Sequence, residues 1–426
     1  MSHILKQFTA TLQQLGTPET ITALSTQGYA PSTRPRVNSH LHLPPNFSAF
    51  ETVAQAVTLM EAQGIGVVGV SNYYDFTVYG DFAERVNSAK VFPLFGLEVI
   101  ALLDNLVTGG VKINDPGNPG KMYLCGKGIT QFDPMGDEAT ELMAVIRAND
   151  SARMAVIADR LAEVFRVSGL ETGLDADAVK ERVVRRHECP LETVYLQERH
   201  LAQAFQEVLF EKVEECARLP FLERAFGVAS KSTPTCAVTV QNEIRSHLMK
   251  AGKPAFAEDT FVGFDHSIRL ILALGGIPCY PMLIDGASPL CKFEETPEKV
   301  IAEIQARNIS CVEFIPIRNS PETLTKYVKA VRAAGLFVTA GTEHNTLDLI
   351  PIEPTCVNSV PVPEEIKELF WEGACVIAAH QYLTLSGLAG FVDSSGTPNP
   401  TYKTAHERIE AFRNLGAALI AKYREQ

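Results

Sequence analysis

No stretch of the sequence reaches the uninterrupted apolar length of a membrane span, and the N-terminal MSHILKQFTATLQQLG has no long apolar core followed by a cleavage site. These absences exclude an evident membrane or secretory role and lead to the expectation of a cytoplasmic protein. Paired-cysteine motifs are missing too. Nine cysteines are scattered singly without CxxC spacing, which suits buried free thiols in a reducing compartment. Positive charge is scarce: 38 Lys and Arg against 50 Asp and Glu leave a net charge of -12, so no broad surface for nucleic-acid phosphates is expected. The basic run at Arg182, Arg185, Arg186 and His187 is interleaved with acids and reads as a solvated helix face. There is no Gly-x-x-x-x-Gly-Lys cradle, no G-x-S-x-G elbow and no solenoid repeat, and the loop from Asn114 to Gly120 (NDPGNPG) reads as a turn-rich connection.

What remains is a balanced globular composition, 46% hydrophobic and 21% charged, in a chain long enough for one barrel carrying an insertion. After an N-terminal helical segment (1–35), apolar strands alternate with helical patterns. Val37–Leu43, Gly66–Ser71, Val91–Ala101 and Lys121–Gly126 read as strands, with a helix over Phe50–Gln63 that Gly64 ends. The rhythm resumes with a helix over Ser267–Leu274, then Ile277–Leu283, Cys311–Ile317 and Phe337–Gly341 as strands separated by helices over Pro297–Ala306 and Pro321–Ala334. Repeated strand-helix units imply a parallel sheet covered by helices and closed into a barrel formed by residues 36–130 and 262–390. Between them, residues 131–261 carry helical patterns only, such as Met154, Ile157, Leu161 and Phe165. This helical insertion is expected to leave from a strand's C-terminal end as a lid or cap over the barrel mouth, with a dimerisation arm as the alternative. Residues 391–426 read as a C-terminal helix.

His40 and His42 stand two apart in a strand, so both imidazoles face one side and can converge on one ion. Glu98 in PLFGLEVIA and the Glu343-His344 pair ending FVTAGTEH send further ligand types toward the same rim, a set suited to Zn, Mn or Fe. Arg318, after the strand CVEFIPI, is placed to bind phosphate or carboxylate bidentately, which makes a small anionic molecule the expected substrate. Lys112 and Lys127 read as surface lysines. His380, in CVIAAHQYL, reads as a satisfied buried histidine, and His187, His200, His247 and His266 belong to the insertion or its exit.

These motifs, in this order, resemble the PHP (polymerase and histidinol phosphatase) family, metal-dependent phosphoesterases on a distorted seven-stranded β/α barrel. VNSHLHL is similar to the family's opening HxH motif, GIGVVGVSNYYDF to its GI-x-x-I-x-x-TDH segment and FGLEV to its G-x-E motif. KMYLCG resembles the H-x-L-G strand, GGIPCYPML the GGIPVLAHP strand and LFVTAGTEHNT the closing GSD-x-H strand. The resemblance implies an α/β fold: a distorted (β/α)7 TIM-like barrel of PHP type with a helical insertion.

The departures from the family pattern are systematic. Asn72-Tyr73 replaces Asp-His, Tyr123 and Tyr280 stand for two more histidines, and Glu343 and Asn345 occupy the closing Asp and His positions, with His344 out of register. Tyrosine is a poor ligand for such metals and does not bridge ions, so a multi-metal site is not expected. His40, His42, Glu98 and Glu343 suffice for one divalent ion acting as a Lewis acid, with Glu343 or His344 as further ligand or base and Tyr73, Tyr123 and Tyr280 as hydrogen-bonding groups. The expected function is a phosphoesterase-like hydrolase. The alternatives are a sugar-acid lyase or isomerase on the same barrel, or a non-catalytic binding protein that has lost the metal. Oligomeric state is not legible.

Overall fold

The computed structural model describes residues 3–426. Among the described residues there are eight strands: β1 Arg36–Leu41, β2 Ile65–Val70, β3 Phe92–Leu102, β4 Lys121–Lys127, β5 Val262–Gly263, β6 Ile277–Met282, β7 Cys311–Phe314 and β8 Phe337–Ala340. Seven of them form the order β1-β2-β3-β4-β6-β7-β8, with the two-residue β5 set against the end of β3. A parallel bridge between Leu41 and Glu343 brings the chain after β8 back to β1, so the sheet closes into a distorted TIM-like barrel. All six residues of β2 (IGVVGV) are buried, as expected for a strand with packed groups on both faces.

The helices are α1 His3–Leu15, α2 Pro18–Thr26, α3 Val53–Ala62, α4 Tyr79–Ser88, α5 Asp104–Thr108, α6 Asp137–Val167, α7 Ala176–His187 and α8 Glu198–Lys212. They continue with α9 Glu215–Phe226, α10 Ala237–Ile244, α11 Phe264–Ala273, α12 Pro297–Gln305, α13 Pro321–Ala333, α14 Glu364–Leu385 and α15 Ala405–Glu425. Local chemistry accounts for their bounds. Thr52, Thr296 and Ser320 cap α3, α12 and α13 by accepting from backbone N–H groups, and Pro297 and Pro321 occupy the first turns of their helices. Among the described residues no helix is long and apolar enough to cross a membrane.

One expectation is corrected. The sheet is not wholly parallel, because β4 runs antiparallel to both β3 and β6. The connection between β3 and β4, residues 103–120, holds only the five-residue α5, about 7.5 Å long, and so lacks the helix that would carry the chain back along the sheet to start a parallel strand. The C-terminal end of β4 therefore lies at the lower end of the barrel, opposite the mouth where His42 emerges. The helical stretch leaves from below and not from the mouth. It still reaches the mouth because α6 has 31 residues, about 46 Å at 1.5 Å per residue. Its first half puts Leu142, Met143 and Ile146 into the barrel's core, while Met154, Ile157, Leu161 and Phe165 join a second core with Val179, Phe205, Leu209 and Phe221. At the other end of the barrel, α14 packs on β8, β1 and β3, and its Gln381 accepts from Phe95 N and donates to Pro93 O.

Candidate metal centre and cavity

The two-residue period of β1 sends His40 and His42 into the barrel, and Glu98 from β3 meets them. His40 Nε2 lies 3.3 Å from His42 Nε2 and 3.3 Å from Glu98 Oε2, and His42 Nε2 lies 3.1 Å from the same oxygen. Four tetrahedral ligands at 2.0–2.1 Å from an ion are separated by about 3.3–3.4 Å, so these three atoms fit one face of such a site with the fourth position open. Their hydrogen bonding points the same way. Buried Glu98 Oε2 has no hydrogen-bond partner among the described residues, although it faces both imidazoles.

The tautomer of His40 follows from its other nitrogen. Nδ1 is 2.6 Å from Glu313 Oε2, so in the neutral ring Nδ1 carries the proton and the lone pair of Nε2 faces the triad. A carboxylate behind a ligating imidazole is the usual support of a metal histidine. Glu313 in turn accepts from Lys127 Nζ at 2.6 Å, and both side chains are buried within the barrel. Burial pushes the Glu313 carboxyl up, but Lys127 and His40 outweigh it and hold it at about 2. Burial is the largest influence on His40 and lowers it, but the Glu313 charge and the hydrogen bonds to Cys125 and Glu313 together raise its pKa well above the usual value, so an ion at Nε2 would displace a proton there. For His42 burial prevails and favours the neutral ring. Glu98 is buried too, yet the two histidines hold it well below the usual carboxylate range. The triad is thus two imidazoles and one carboxylate. Gly341, at the end of β8, makes room for it, since a Cβ there would fall 2.3 Å from the His40 Cβ.

Tyr73 takes part in the centre as an organiser. Its ring stacks on His42 at 5.4 Å, and its hydroxyl donates to Glu98 Oε1 at 2.5 Å, leaving Oε2 to the triad. Burial, and next the Glu98 charge, raise its pKa well above normal, so it stays a phenol. Asn72, standing where the PHP pattern has Asp, bonds the backbone of Leu43 in both directions and fixes the exit of β1.

Above the triad opens a cavity of about 520 Å³, lined by His42, Tyr73, Glu98, Tyr123, Arg318 and Glu343 from the barrel and by residues of the helical stretch from Asp150 to Lys250. Glu343 has a left-handed backbone (φ 59), and its Oε2 accepts from Arg318 Nη2 and from Asn345 Nδ2 at 2.8 Å.

Other expected site residues lie elsewhere. His344 stacks on Phe50, with Nδ1 2.7 Å from Thr342 Oγ1 and Nε2 3.0 Å from Ile350 O, so both nitrogens are occupied away from the triad. Tyr280 points outward from β6: Cys279 and Pro281 take the inward positions, and the Tyr280 hydroxyl donates to Glu294 Oε1 at 2.7 Å in the layer between barrel and helices. Lys127 is corrected from surface to interior, where its charge is matched by Glu313. Lys112 is exposed as expected. His380 is satisfied by Gly275 O and Phe391 N, while His187, His200 and His266 bond backbone carbonyls and His247 stacks on Phe226.

Glu313 escaped the sequence reading, although a lone acid inside the apolar CVEFIPI was a signal of an interior partner. Arg199 and Arg245 escaped it because nothing local tells which face of a helical stretch meets the barrel.

No protein-family model matches the chain, and no curated protein matches it significantly. Several solved structures share its fold. One is a protein from Bifidobacterium adolescentis proposed to be a metal-dependent phosphoesterase, 14% identical, with a TM-score of 0.50 over 80% of this chain and 96% of its own. Another is an amidohydrolase from Chromobacterium violaceum, solved with bound sulfate and no metal, 15% identical, with a TM-score of 0.50 over 78% and 96%. At such identity the likeness is one of fold.

Proposed function

We propose that this chain is a metal-dependent hydrolase of the PHP type, a phosphoesterase acting on a small anionic substrate with one divalent ion, Mn, Zn or Fe, at His40, His42 and Glu98. The observation that carries this reading is the mutual approach of the three ligand atoms at 3.1–3.3 Å around a point where no hydrogen bond satisfies Glu98 Oε2. The phosphoesterase and amidohydrolase names of the two fold neighbours support the same class.

His40, His42 and Glu98 would hold the ion, which would supply Lewis acidity for activating water near neutral pH. The chain's own groups do the rest. Glu313 orients His40, Tyr73 orients Glu98, and Arg318 at the rim aligns the anion with its planar fork. Glu343 Oε1, the oxygen that takes neither Arg318 nor Asn345, is the acceptor for the proton of the attacking water.

Metal analysis of the purified protein, followed by a screen of sugar phosphates and aryl phosphates with added metal, tests this. About one equivalent of metal and turnover of a phosphoester are expected, both lost in His40→Ala and His42→Ala. A wild-type protein that takes up no metal, or turnover unaffected by the two substitutions, overturns it.

A further inference from the structure

The cavity roof holds an imbalance of charge that the metal centre does not use. Six basic side chains line the cavity: Lys121, Arg153, Arg199, Arg245, Lys250 and Arg318. Five have carboxylate partners. Lys121 pairs with Asp115, Arg318 with Glu343, and Arg153, Arg245 and Lys250 converge on Glu198 at 2.9, 3.5 and 2.6 Å, with Asp259 also on Arg153. Arg199 pairs with no carboxylate among the described residues, and its Cζ lies 6.0 Å from the centre of the Phe47 ring. Burial, and next the like charge of Arg245, press its guanidinium down to about 9, with Arg318 adding to the repulsion and Glu343 opposing it. A half-buried guanidinium without a carboxylate costs folding free energy unless a ligand completes it.

Its placement is fixed by the barrel. Arg199 lies in the first turn of α8, and Gln197 and His200, two residues before it and one after, anchor that turn to the loop following His42. Gln197 Oε1 accepts from Asn46 Nδ2 at 2.6 Å and Phe47 N at 2.9 Å, while His200 Nε2 donates to Pro45 O at 3.1 Å and Nδ1 accepts from Gln197 N. Arg199 is thereby held over the mouth by the same loop that leaves the triad. A preorganised guanidinium of this kind loses little entropy on binding an oxyanion.

We propose that Arg199, flanked by Arg245 and Arg318, is an anion-binding subsite in the roof of the cavity, taking a phosphate group of the substrate and making the helical stretch a specificity element. This rests on reading the cavity as the substrate pocket and requires no ion at the triad.

The test is titration calorimetry of the full-length protein, treated with chelator, against inorganic phosphate, with succinate as a second arm. Saturable one-to-one binding of phosphate, tighter than succinate, is expected. Arg199→Gln should weaken it roughly ten- to hundred-fold, as loss of hydrogen bonds to a charged group implies, and Arg199→Lys by less. Metal uptake should stay at the wild-type value in Arg199→Gln and its melting temperature without phosphate should equal or exceed that of wild type, since the uncompensated charge is gone, and Arg34→Gln, whose side chain pairs with Glu364, should bind phosphate like wild type. Absence of phosphate binding in the wild type, equal binding in Arg199→Gln, or tighter binding of succinate overturns the proposal. Arg199-dependent phosphate binding by a protein that retains no metal leaves the subsite standing and removes the metal reading. Metal uptake with phosphate binding indifferent to Arg199 does the reverse.

Discussion

Removing Glu313 separates its two roles. Glu313→Ala strips Lys127 of its carboxylate inside the barrel, where both side chains are 2% exposed or less, and leaves the His40 Nδ1 proton without an acceptor. Breaking a buried pair from one side costs about 3–5 kcal/mol, because an uncompensated charge remains. With an unfolding entropy of about 2.1 cal/mol/K per residue, a chain of 426 residues changes by about 0.9 kcal/mol per degree, so the melting temperature should fall by about 3–6 °C. The double variant Glu313→Leu with Lys127→Met removes both charges and should recover most of that loss, since apolar replacement of a buried pair is often neutral. It should not recover the metal, because His40 has lost the carboxylate that fixes its ring, a loss of about 10–100-fold in affinity. Scanning fluorimetry and metal titration of the wild type, single and double variants read the two effects separately. A single variant melting within about 1 °C of wild type, or a double variant with wild-type metal affinity, would refute the reasoning.

Two further outcomes follow from the neighbourhood of the site. His344→Asn should leave metal stoichiometry unchanged while lowering stability by about 1–3 kcal/mol through its two lost hydrogen bonds and its stacking on Phe50, and a fall in bound metal would return His344 to the ligand set. Glu294 is fully buried beside Tyr280, and burial pushes its carboxyl from 4.5 up to about 7 despite hydrogen bonds from Leu283, Ile284 and Tyr280. Folding therefore favours the protonated form. Its stabilising contribution is complete below pH 4.5 and is lost, by about 3 kcal/mol, as pH rises through 7. Glu294→Gln should flatten the melting profile between pH 5 and 8, and coincident profiles for the two proteins would contradict the assignment.

Much of the barrel was legible because its signals are local. Apolar runs such as GVVGVS, the helix openings at Pro297 and Pro321, and glycines such as Gly64, Gly275 and Gly335 at positive φ mark the elements within a residue or two of where they lie. The HxH spacing likewise forced His40 and His42 onto one face. Direction was not local. Whether β4 runs up or down depends on whether the chain after β3 turns back or crosses over, and the strand KMYLCGK reads the same either way. Motif matching also placed Tyr280 at the site, where a strand's alternation turns it outward and gives the inward positions to Cys279 and Pro281.

The sequence alone determined the seven strands of the barrel, several of the helices between them and the two histidines that share a face, because backbone period acts over a few residues. Only the tertiary structure decided that Glu98 meets them, that Lys127 and Glu313 neutralise each other behind His40, that His344 turns away and that Arg199 stands over the mouth. Those depend on sheet register and on the long α6 carrying a second core up beside the barrel, contacts between residues far apart in the chain that no local pattern encodes.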